Sequence, residues 1–138
     1  MSASSAPLQR QTFRKSERLC SRKILEELIK NGKSVHFPSL RFSWLPIPIP
    51  ENVPAQVAFS VPKRNFRQSV DRNRIKGRMR EAYRKNKSLI YPLISTTRKQ
   101  FALLFVYTGS EIPTYIDTEK KIKNALNRFA EDIQKYNN

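Results

Sequence analysis

The chain is poor in acid: Asp and Glu total 11 against 27 Lys and Arg, leaving a formal charge of +16 on 138 residues. Self-repulsion on that scale works against a compact fold, so an anionic partner is its natural explanation. Cysteine and histidine each occur once, so Cys20 has no internal disulfide partner and no Cys/His set can hold zinc. Cys20 reads as a small buried side chain, and His36 stands at a strand start with no companion for general-base work. No apolar run approaches the ~18 residues of a spanning helix. The opening MSASSAPLQRQ lacks the hydrophobic stretch of a signal peptide, so a cytoplasmic protein is expected. Carboxylates are too scattered for a metal-dependent protein nuclease, which needs them clustered.

What is present is basic charge in one place. From Lys63 to Lys87 there are eleven basic residues and two acidic ones, Asp71 and Glu81, which holds more than half of the net charge. Cations placed on phosphates release condensed counterions, so this pattern suits nucleic acid. An anionic membrane surface would also attract it, but the apolar positions of the segment form a narrow stripe with no Trp, Phe or Leu belt to bury in lipid.

The length predicts one domain with its own core. Residues 1–12, rich in Ser, Ala and Gln, read as a flexible tail, leaving 13–138 as the domain. SRKILEELIKNG predicts a first helix, with Ser21 as N-cap, Gly32 as the stop and apolar residues at 24, 25, 28 and 29. SVHFPSLRFSWLPI predicts one strand, in which Leu40, Phe42 and Trp44 alternate with Arg41 and Ser43. The Pro-rich PIPIPENVP excludes regular structure. AQVAFSVPK predicts a second strand, and the continuously apolar FALLFVYTG a central one covered on both faces. Thr114 caps a long final helix. The order is α-β-β-α-β-α, an α+β two-layer sandwich. The second and third strands, joined by a helix, are expected parallel, and the first two antiparallel across the Pro-rich link.

At 100° per residue, Asp71, Met79, Ala82 and Asn86 fall within about 40° of Ile75 on either side and predict the packed stripe. Arg72, Asn73, Lys76, Arg80 and Arg84 line one flank; Arg74, Arg78 and Lys85 line the other. Like charges at this spacing repel, which favours a counter-charge from outside. Arg forks grip two phosphate oxygens at once. Asn73 both donates and accepts, so it suits a 2′-hydroxyl, a base edge or the hydration shell of Mg²⁺. Gly77 faces solvent and costs the helix about 1 kcal/mol relative to Ala. Asp71 suits the first turn, with Ser69 as a cap.

RNRIKGRMREAYR, preceded by AFSVPKR and, upstream, by FRKSERL and ELIKNGKSV, resembles the bacterial ribonuclease P protein component in order and spacing over roughly residues 13 to 135. The resemblance implies a ribosomal protein S5 domain 2-like fold with a left-handed βαβ crossover between two parallel strands. It implies a protein that joins a catalytic RNA and the 5′ leader of precursor tRNA, assisting Mg²⁺-dependent removal of that leader. It implies further that the RNA performs the hydrolysis, so that no protein catalytic residues are expected, and that Mg²⁺ is held mainly by the RNA, with none bound tightly by a protein expected to be a monomer on its own. Carried over, the RNA-binding residues are Lys63, Arg64, Arg72, Asn73, Arg74, Lys76, Arg78, Arg80 and Arg84, with Asn73 near RNA-bound Mg²⁺. A leader cleft between the first helix and the sheet would draw on Phe13, Arg18, Leu25, Ile29, Arg41, Phe42 and Trp44. Leu25 and Ile29 stand where many relatives have Phe, Gly77 where a basic residue is common, and NFRQS replaces a shorter turn. Charge alone also fits a free-standing, ribosome-associated RNA-binding module.

Overall fold

The run Phe101 to Tyr107, buried at every position, sets the architecture, because a strand apolar on both faces needs cover on both. The computed structural model describes residues 12–137, so all of the expected tail but Thr12 lies outside the described residues. The helices are α1 (Arg22–Asn31), α2 (Ser69–Asn86), α3 (Tyr91–Thr97) and α4 (Tyr115–Asn137). The strands are β1 (Lys33–Phe37), β2 (Leu40–Pro46), β3 (Ala55–Ser60) and β4 (Phe101–Tyr107), in the sheet order β1-β2-β4-β3.

β4 pairs parallel with β3, as the intervening helix predicts, and antiparallel with β2. β2 and β3 run in opposite senses but are not neighbours, because the more apolar β4 inserts between them. The single strand expected over SVHFPSLRFSWLPI is a hairpin instead. β1 pairs with β2 around a tight turn in which Ser39 takes φ 63°. α3 is a second element beyond the expected order; Pro92 sits in its first turn, where a missing N–H costs nothing.

The sheet's two faces carry separate cores. Leu40, Phe42, Trp44, Val57, Leu103 and Phe105 face α2 and α4, packing on Ile75, Met79, Leu126 and Phe129. Ala102, Leu104 and Val106 face the other way, toward Leu28 of α1 and Leu19. Helices therefore lie on both faces, where the sequence predicted two layers, since β4 has no polar face to leave in water.

Local signals place the helix ends. The Ser21 hydroxyl accepts the Ile24 N–H at 3.2 Å, and Gly32 closes α1 by donating its N–H to the Leu28 carbonyl at 2.8 Å. Thr114 Oγ1 accepts the Asp117 N–H at 3.1 Å at the start of α4. α2 starts one residue earlier than a Ser69 cap requires: Ser69 is its first residue and Gln68 occupies the cap position, without a side-chain bond.

Candidate nucleic-acid interface

α2 buries most of the predicted stripe: Ile75 and Ala82 are wholly covered and Met79 and Asn86 are buried, while Asp71, in the first turn, stays half-exposed. Tyr83, on the flank of that stripe, is buried too and touches Phe13, Phe59 and Phe105 edge-on. Burial pushes the Tyr83 hydroxyl pKa well up, so it stays neutral. The opposite arc of α2 faces solvent, with Asn73, Arg74 and Arg80 exposed and Lys76 half-buried.

The cations of this region divide into two kinds. Arg72 Nη1 donates to the carbonyls of Phe66 and Arg67 at 2.7 and 2.9 Å, holding the loop after β3 against the first turn of α2. Arg78 donates to the Pro113 carbonyl, tying α2 to the start of α4. Arg84 pairs with Glu81 at 2.7 Å, while Lys85 stands 3.9 Å from the same carboxylate and over the Tyr115 ring. Hydrogen bonding by Arg84 holds the Glu81 carboxyl below its ordinary range. Glu81 therefore answers Arg84 first, rather than the i+4 Lys85 that spacing favours. Among the described residues, the side chains of Lys63, Arg64, Arg67, Arg74, Lys76 and Arg80 make no ion pair or hydrogen bond.

The loop that carries Lys63, Arg64 and Arg67 is pinned. Asn65 Nδ2 reaches the Gly109 carbonyl at 3.3 Å, and Phe66 is buried 6.2 Å from the Tyr107 ring. The backbone that carries these three exposed cations is thereby held where it leads into the 18-residue α2, whose positive end is itself suited to phosphate. Arg67 is missing from the residues carried over by resemblance; its position between Arg64 and Arg72 in the basic run was the available signal. Asn73 is exposed and makes no hydrogen bond among the described residues, so its amide fits a hydrated cation or a ribose. No group of three His, Cys, Asp or Glu side chains comes together among the described residues.

The expected leader residues separate onto two faces of the sheet. Phe42 and Trp44, at 0% and 1% exposure, sit among Phe101, Phe105 and Phe129 and present no ring to a ligand. Phe13 packs on the same side, edge-on to Phe59, with the Arg18 guanidinium 5.9 Å from its ring centre. Arg41 points the other way. It pairs in register with His36 on β1 and Val106 on β4, and Val106 belongs to the core under α1, against which Leu25 also packs. Ile29 stands out into solvent at 66% exposure. The α1-side face thus keeps Leu25 and Arg41 and adds Ser43, whose hydroxyl lies 2.9 Å from that of Ser34. The cause is the strand period of two: Arg41 cannot share a face with Phe42 and Trp44, and the more apolar face went to the core. Cys20, expected buried, is exposed.

An α+β domain whose unpaired cations gather on one helix face and one pinned loop has the organisation of a polyanion-binding protein. Residues 13–130 match the family model described as Ribonuclease P, and the chain belongs to that family. A ribonuclease P protein component of Porphyromonas gingivalis is 29% identical over 119 residues, covering 86% of this chain and 87% of that protein. One from Chlorobium phaeobacteroides is 30% identical over 128 residues, covering 86% and 88%. The solved structure of the Staphylococcus aureus RNase P protein has the same fold, with a TM-score of 0.65 at 18% identity over 81% of this chain and 94% of that one.

Proposed function

We propose that the chain is the protein subunit of ribonuclease P, working in the cytoplasm beside a catalytic RNA to remove the 5′ leader of precursor tRNA. The observation that carries this reading is the set of unpaired cations on α2 and its preceding loop, within a stretch matched to the family from residue 13 to 130. Lys63, Arg64, Arg67, Arg74, Lys76 and Arg80 supply phosphate contacts, and Asn73 touches the ribose or the water shell of RNA-bound Mg²⁺. Arg72 and Arg78 shape this surface through their carbonyl contacts. The hydrolysis belongs to the RNA and its Mg²⁺. The leader runs along the α1-side face, past Leu25 and Arg41. The connection from β3 through α2 and α3 to the parallel β4 is read as the left-handed, S5 domain 2-like crossover.

Reconstitution tests the role. Added to a ribonuclease P RNA, the protein should lower the Mg²⁺ concentration needed to cleave precursor tRNA. Cleavage that is unchanged at every Mg²⁺ concentration rejects a subunit role and returns the chain to a free-standing RNA-binding module.

A further inference from the structure

A cavity of about 500 Å³ opens between the start of α1, the segment before it and the end of the Pro-rich loop. It falls within the roughly 300–1,000 Å³ typical of small-ligand clefts. Its floor is Gln56, 4% exposed, whose Nε2 donates to the Ser16 carbonyl at 2.9 Å and to Glu51 Oε1 at 3.0 Å. With its amide nitrogen committed to two acceptors, the group Gln56 has left to offer is its carbonyl oxygen. The Glu51 carboxylate is a second acceptor, and its place is fixed from behind: Gln100 Nε2 donates to the Glu51 and Val53 carbonyls at 2.8 and 2.9 Å. Ile24 and Pro50 give an apolar wall, while the exposed cations Lys15 and Arg18 stand at the rim.

Acceptors inside, an apolar wall and cations outside complement one kind of group. We propose that this cavity seats a single unpaired nucleobase bearing an exocyclic amino group, with the adjoining phosphates on Lys15 and Arg18. Adenine, cytosine and guanine turn an N–H₂ toward the two acceptors; uracil would set carbonyl oxygens against them. Gln56 is in register with Ala102 of β4, which lies in the core under α1, so the cavity adjoins the face carrying Leu25 and Arg41. The site rests on the RNA-binding reading only for the source of the strand, which is either the leader or the catalytic RNA.

The one thiol of the chain, Cys20, lines the cavity and is exposed, so it reports occupancy. Alkylation of Cys20 in the full chain is followed by mass spectrometry with single-stranded hexamers of A, C or U, while fluorescence anisotropy records total binding. Saturating A or C hexamers should slow alkylation at least fivefold, and U hexamers less than twofold. Glu51→Leu, with its fold checked by circular dichroism, should bind the hexamers but lose the difference between A and U. Hexamers that bind without protecting Cys20, or U protecting as well as A, overturn the site and leave the RNA-binding reading standing. Failure of all RNA to bind rejects both. Protection by precursor tRNA alone assigns the strand to the leader, and protection by catalytic RNA alone assigns it to that partner. Protection by neither overturns the proposal.

Discussion

At the scale of single residues, Arg72 and Arg80 look alike in sequence and do different work. Arg72→Ala removes the donor from two backbone carbonyls of the loop that carries Lys63, Arg64 and Arg67. Bonds to a charged donor contribute about 1.5–3 kcal/mol, so a urea melt should show a loss near the lower figure for this half-exposed group. Arg80 makes no hydrogen bond or ion pair among the described residues. Arg80→Ala should leave stability within about 0.5 kcal/mol and reduce the slope of log affinity against log salt by up to about one. An unchanged slope would remove Arg80 from the phosphate contacts. At Gly77 a Cβ would meet nothing within 4 Å. Gly77→Ala should therefore stabilise the protein by about 1 kcal/mol in the same melt, the full difference in helix propensity. These distinctions were not legible in the sequence, because a guanidinium bound to a carbonyl and one left for a ligand have the same spacing. The alternation of β2 was legible and correctly paired Phe42 with Trp44. Which face of β2 met the core was not, because that is set by the helices on each side.

At the scale of elements, the segment before α1 is held by a buried carboxylate. Glu17 accepts from Lys87 Nζ at 2.6 Å, the Tyr91 hydroxyl at 2.5 Å and the Arg14 N–H at 2.8 Å, and Lys87 also reaches the Thr12 carbonyl. Burial pushes the Glu17 carboxyl up. The Arg14 N–H, Lys87 and the Tyr91 hydroxyl together outweigh it and hold the pKa below its ordinary range. A lowered folded-state pKa contributes stability that is complete above the ordinary carboxylate range and is lost as pH falls through the lowered value. Hydrogen exchange of residues 12–19 should therefore accelerate below that range ahead of the amides of β4. Lys87→Met strands a carboxylate that is 5% exposed, and the melt should show a loss of about 3 kcal/mol. No local pattern announces this pair, whose partners are 70 residues apart. α1, α2, α4 and the parallel β3–β4 pair were readable because caps and periodicity act locally. β1 and α3 were not: each is short, and each is held mainly by a neighbour, β2 in one case and the α4 face in the other.

At the scale of the whole molecule, the sheet separates two candidate surfaces. The cations of α2 lie beyond one face, and Leu25 and Arg41 lie on the other, with two distinct cores between them. Sites that share no partner have energetic effects that add within about 0.3–0.5 kcal/mol. Arg80→Ala should weaken binding of the catalytic RNA and leave the preference for precursor over mature tRNA unchanged. Arg41→Ala should reduce that preference and leave affinity for the catalytic RNA nearly intact. In the reconstituted complex, the double variant should then lose precursor affinity by the product of the two single factors, within about twofold. Equilibrium binding of precursor and mature tRNA at one fixed salt concentration measures all four corners of this cycle. Salt must be fixed because part of every factor is counterion release, which shifts with ionic strength and would imitate coupling. A product that fails by tenfold would mean that both surfaces grip one continuous strand around the edge of the sheet. The separation of leader and catalytic-RNA sites would then have to be abandoned.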